Sequence, residues 1–126
     1  MEKNNVAAKK TVRAKKLYGI TKVNYLGNSF TWMIGLMFSS PKKNVATVFD
    51  FKRELFAPIH MWFVSYPLDV FWLNENFKVV DVKFGVKPWA SYVAPRGKSW
   101  FMVEVVARVE NKKIKVGDVL VLPKSI

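Results

Sequence analysis

Between Ile59 and Leu73 the chain reads IHMWFVSYPLDVFWL, with apolar residues at nearly consecutive positions. A strand with one wet face alternates apolar and polar residues, so Ile59–Val64 and Leu68–Leu73 are expected to be strands covered on both faces or coiled within a small barrel. Pro67 has no N–H to give to a ladder and marks a bend or edge between them. Asn74-Glu75-Asn76 supplies a turn, and Phe77–Phe84 returns as the second arm of a hairpin. Lys78, Val80, Val82 and Phe84 are expected on its inward side.

Around this hairpin the pattern predicts further short strands. Tyr18, Ile20, Val23 and Tyr25 suggest a first strand, irregular near Thr21 and ended by Gly27-Asn28. Ser29 suits a helix N-cap, and Phe30, Met33, Ile34 and Met37 fall at i, i+3, i+4 and i+7, which predicts one short helix. Residues 39–44 are loop by composition, Ala46–Phe51 a buried strand, and 85–99 a loop. Trp100–Ala107 reads as a strand with Phe101, Val103 and Val105 on one side, and Ile114–Asp118 as a turn into Val119–Leu122. Trp32, Trp62, Trp72, Met33, Met37 and Met61 are assigned to the core.

A chain of 126 residues holds one ordinary domain. The fold class expected is β-rich α+β: a small, partly closed β-barrel of about seven short strands and one helix over residues 17–126, preceded by a basic arm, residues 1–16. The arm carries too few large apolar groups to offset the entropy of ordering it, and is expected to be disordered alone.

The net charge is +12, from 21 Lys or Arg against nine acids, which favours phosphate polyanions as partners. Residues 1–22 hold seven of the cations and one of the acids. With no cysteine and one histidine there is no disulfide framework, no thiolate chemistry and little from which to build a metal site, so no metal and no cofactor are expected. The apolar run is broken by Ser65, Pro67 and Asp69 before it could span a bilayer, and the N-terminus lacks the apolar core of a secretory signal. A soluble, cytoplasmic protein with no membrane partner is expected. Absent Cys and Gln beside abundant Lys leans towards a thermophile.

Several blocks, taken in order, resemble one known family: Gly35-Leu36-Met37-Phe38, Val48-Phe49-Asp50-Phe51, Ile59–Phe63 through Pro67-Leu68-Asp69-Val70, Lys87-Pro88-Trp89 with Tyr92 and Pro95, and the Ile114–Asp118 turn. The chain resembles the family called domain of unknown function 192, in its archaeal form, over residues 17–122. The resemblance implies a compact, β-rich, barrel-like fold and no established reaction. Two departures stand out. Bacterial members commonly carry Trp-Met-Lys-Asn-Thr before the Pro-Leu-Asp step, where this chain has the more apolar Met61–Tyr66, and the family's late Ala-Gly turn is here Ala107-Arg108-Val109-Glu110.

His60 and Asp69 define one candidate pocket for a small ligand or an enzymatic site, yet no Ser or Thr stands in a nucleophile context beside them. A histidine bonded to backbone is the simpler expectation, and Asp69 and Asp118 at strand entries are expected to accept backbone N–H groups. No small-molecule partner can be identified from these residues. The loop from Lys87 to Trp100 interleaves cations with flat rings, the combination that neutralises phosphates while stacking on unpaired bases. The opposing expectation is that Trp89 and Tyr92 plug the end of a barrel. Arg96-Gly97-Lys98 lacks the glycine spacing of a phosphate-binding loop. Lys42-Lys43 and Lys112–Lys115 add short basic clusters.

The functional expectation is therefore a non-enzymatic protein binding RNA, ribosomal RNA included, or DNA. The contacts expected are Lys9, Lys10, Arg13, Lys15 and Lys16 of the arm, Lys87, Trp89, Tyr92, Arg96 and Lys98 of the loop, and Lys112 and Lys113. The competing expectations are the His60/Asp69 pocket and an interaction module for an acidic protein.

Overall fold

The computed structural model describes residues 13–28, 37 and 39–124. Seven strands occur among them: β1 (Ala14–Lys16), β2 (Lys22–Leu26), β3 (Val45–Leu55), β4 (Leu68–Leu73), β5 (Val79–Val86), β6 (Ser99–Val106) and β7 (Val119–Val121). A 3-10 helix covers Val109–Lys113. The helix expected from Ser29 lies outside the described residues except for Met37, which sits in a turn.

Five strands form one sheet in the order β2-β3-β6-β4-β5, antiparallel apart from the parallel β2–β3 pair, and β1 pairs parallel with β7 in a second, two-stranded ladder. The sheet is open between β2 and β5 among these residues, so the expected barrel is not formed. β4 is buried along its whole length because the sheet is covered on both faces. Alternation divides the core cleanly. Phe49, Phe51, Val70, Trp72 and Met102 point to one face, where Ala57, Met61, Val64 and Tyr66 cover them. Ala46, Val48, Phe71, Leu73, Val103 and Val105 point to the other, under Leu17, Ile114 and Leu120. The expected sidedness of Phe101, Val103 and Val105 is observed.

Four local expectations are corrected. Ile59–Val64 is not a strand: only Ile59 forms a bridge, to Val93, and the chain turns at Trp62 and Phe63. Its apolar residues are split between covering the sheet, Met61 and Val64, and lying open to solvent, so Trp62 is not core. On β5 the most deeply buried residues are Val79, Asp81 and Val86, and Lys78 is exposed. Register shifts in the β4–β5 pair break the simple alternation assumed for that arm. Ala14–Lys16, expected within the N-terminal arm, instead complete a ladder with Val119–Val121, and residues 1–12 lie outside the described residues. Even a poor strand former is held when a waiting edge accepts its backbone groups.

Candidate functional site

Three of the buried carboxylates are consumed by the architecture. Asp69 accepts from Gly85 N at 2.8 Å through one oxygen and from Arg108 N at 3.0 Å and Asn111 Nδ2 at 2.8 Å through the other. It clamps the β5 end, the chain beyond β6 and the 3-10 helix to β4. Asp81 accepts from Val82 N and from Arg96 N and Nη2. Asp118 accepts from Lys115 N at 2.8 Å and pairs with Lys15 at 2.9 Å, and these contacts hold its carboxyl below the usual range despite the opposing effect of burial. The backbone role expected for Asp69 and Asp118 is the one observed.

His60 Nδ1 accepts from Trp62 N at 3.1 Å, and the two rings lie 4.9 Å apart. His60 therefore organises its own turn, and it makes no bond to Asp69, whose oxygens face other donors. The expected His60/Asp69 pocket is not assembled. Among the described residues no group of three His, Asp or Glu could hold a metal ion.

The loops carrying His60 and Trp89 are tied together. Ile59 and Val93 exchange backbone bonds, Met61 N donates to Ala90 O at 2.6 Å, and Trp89 N donates to Met61 O at 3.0 Å. Met61 and Val64 point down into the core, with Ala90 and Val93 packed beside them, which leaves the intervening rings outside. Trp62 is 49% exposed, Phe63 41%, Trp89 55% and Tyr92 66%. Phe63 and Trp89 meet edge to face at 5.2 Å. Both stand in the left-handed backbone region, at φ 61° and 65°, which a bulky residue adopts only where its surroundings impose it. Trp89 and Tyr92 thus do not plug a barrel end; they stand open beside exposed Lys87.

The other expected contacts fall in two places. Arg96 bonds Asp81 and Lys98 is exposed, both in the segment leading to β6. Arg13, Lys16, Lys112 and Lys113 are exposed around the β1–β7 ladder, where Lys15 Nζ donates to Lys113 O at 2.6 Å and so joins the root of the arm to the 3-10 helix. This group lies on the face opposite the aromatic loops. Lys9 and Lys10 lie outside the described residues.

Residues 10–122 match the family described as Uncharacterized ACR, domain of unknown function 192. The chain belongs to this family. Relatives in it include UPF0127 proteins of Pyrococcus furiosus, 30% identical over 77% of this chain and 83% of that protein, and of Pyrococcus horikoshii, 34% identical over 56% of this chain and 60% of that protein. A Thermococcus sibiricus relative is 37% identical over 67% of this chain and 54% of its own length. Two solved structures share the fold. A candidate transcription regulator of Sinorhizobium meliloti has a TM-score of 0.70 at 17% identity, over 75% of this chain and 76% of that one. A protein of unknown function from Novosphingobium aromaticivorans has a TM-score of 0.69 at 18% identity, over 75% and 70%. No helix among the described residues is long and apolar enough to cross a membrane.

In this member of the domain of unknown function 192 family, sequence reasoning passed over one acid. Glu104 lies mid-strand in β6, is 6% exposed, and lines a cavity of about 370 Å³ with Thr47, Tyr66, Ser39, Lys22, Asn24 and Lys42 among its other walls. The signal was present in Trp-Phe-Met-Val-Glu-Val-Val, a single carboxylate in a strand otherwise apolar on both faces.

Proposed function

We propose that this protein binds single-stranded nucleic acid, RNA in preference to DNA, through the aromatic surface of Trp62, Phe63, Trp89 and Tyr92. The observation that carries this reading is the exposure of four large rings on two loops whose backbones are bonded to each other, so that the rings are presented on a fixed support. Bases stack on such rings with little dependence on sequence, and the net charge of +12 supplies the phosphate attraction. Lys87 and Lys98 serve the aromatic side. Arg13, Lys16, Lys112 and Lys113 add a second, purely electrostatic contact from the opposite face, the cations Lys9 and Lys10 add to the phosphate attraction through their charge, and ribosomal RNA is the most demanding substrate of this kind. Cytoplasmic location belongs to the same proposal.

Because the two surfaces lie on opposite faces, their contributions should be separable and nearly additive. The test is anisotropy of a labelled single-stranded RNA titrated with the full chain, with Trp89→Ala/Tyr92→Ala, and with a chain lacking residues 1–12, at about 50 and 200 mM salt. The ring variant should lose affinity at both salts, and the truncation should flatten the salt dependence. Unchanged affinity in the ring variant would remove the reading.

A further inference from the structure

The cavity beside Glu104 has a built polarity. Alternation places Asn24 of β2, Thr47 of β3 and Glu104 of β6 on one face, at one level of the sheet, because Asn24 pairs with Thr47 and Thr47 with Glu104. Tyr66 and Leu68 close the inner end, and Tyr66 and Ser39 share a hydrogen bond at 2.8 Å. At the mouth, Thr21 N and Lys22 N both donate to Asn44 O, and Val45 N donates to Lys42 O, so the turn bearing Lys42 is stitched to the start of β2 bearing Lys22. Both lysines are exposed there.

Glu104 makes no hydrogen bond or ion pair among the described residues, in contrast to Asp69, Asp81 and Asp118. Burial pushes its carboxyl up to about 8, so at neutral pH it carries a proton and can both donate and accept. The titratable groups lining the same cavity are Lys22 on β2, Lys42 on the turn before β3 and Tyr66; β4 contributes only Leu68. The carboxyl of this largely buried side chain opens onto the cavity without a partner from the described residues, and a cavity with such a group on its wall is fitted to a molecule that supplies one. The volume falls in the range of small-molecule sites.

We propose that this cavity binds a small hydroxylated anion of the sugar-phosphate class, its hydroxyl end against Glu104 and Thr47 and its phosphate against Lys22 and Lys42. A neutral acid and a hydroxyl suit a polyol, and two exposed ammonium groups at the mouth suit a phosphate. This site shares no residue with the aromatic surface, so its failure leaves the nucleic-acid reading untouched and the reverse also holds.

The test is calorimetric titration of the full chain with glucose 6-phosphate, glucose and inorganic phosphate. Glucose 6-phosphate should bind most tightly. Glu104→Leu should weaken it at least about tenfold while leaving inorganic phosphate unchanged, and Lys22→Ala/Lys42→Ala should weaken both. The lysine pair is exposed, so that variant remains informative if the Glu104 variant fails to fold. Absence of glucose 6-phosphate binding at millimolar concentration would overturn the proposal, as would inorganic phosphate binding equally well, or a lysine variant with unchanged affinity.

Discussion

Asp69 and Glu104 sit on adjacent central strands, β4 and β6, one register step apart, since Asp69 pairs with Val105 and Val70 with Glu104. Both are buried acids, at 1% and 6% exposure. They face opposite sides of the sheet, and there the likeness ends. Asp69 meets three N–H donors from β5, the segment after β6 and the 3-10 helix; Glu104 meets an open cavity and none. Burial alone therefore does not mark an acid as functional. What separates the two is whether the fold itself supplies the donors that a desolvated carboxyl requires.

The strongest way to break this contrast is Asp69→Ala. It strands the N–H groups of Gly85, Arg108 and Asn111, each costly to bury unpaired, and should lower stability by about 3 kcal/mol or more in urea denaturation. A loss below about 1 kcal/mol would mean that the clamp is ornamental.

Glu104→Gln should act in the opposite sense and depend on pH. The ordinary value of 4.5 applies in the unfolded chain and about 8 in the folded one. Between them the folded protein keeps a proton that the unfolded chain has lost, so this group's contribution is fully present below 4.5 and is lost as pH rises towards 8. Stability should fall by up to about 1.4 kcal/mol per pH unit across that window, and a glutamine removes the slope. Denaturation near pH 5, 7 and 9 should show the variant gaining on the parent as pH rises, with little further change above 8. Parallel pH profiles would place a hidden partner on Glu104.

Smaller effects sharpen the picture on the surface. Trp89→Ala should cost about 1–3 kcal/mol of affinity for single-stranded RNA, measured by anisotropy, with thermal stability little changed. Arg96→Ala should cost only about 0.5 kcal/mol of stability: its guanidinium is highly exposed, and the Arg96 N–H bond to buried Asp81 survives the change.

Much of the fold is legible in the sequence. β4 and the turn at Asn74–Asn76 follow from apolar density and turn chemistry, and β6 from its one-sided Phe101, Val103 and Val105. The strand expected at Ile59–Val64 failed for a physical reason: a loop that inserts Met61 and Val64 into a core is as apolar as a strand buried on both faces, and composition does not distinguish them. Trp62 was misplaced by the same ambiguity. The candidate surface was half legible. Lys87, Trp89 and Tyr92 were singled out as a cation–aromatic mixture, but Trp62 and Phe63 join them only because Met61 and Ala90 share backbone bonds.

The sequence by itself determined a β-rich chain of short strands, a sheet with two apolar sides, a large positive charge and membership of a recognisable family, because these rest on local composition and order. Whether the sheet would close, whether the rings would be sheltered or bare, and whether Asp69 or Glu104 would be left without partners depended on which segments lie across each face. Those contacts join residues far apart in the chain, and only the tertiary structure decided that Asp69 would be enclosed by donors while Glu104 opened onto a cavity.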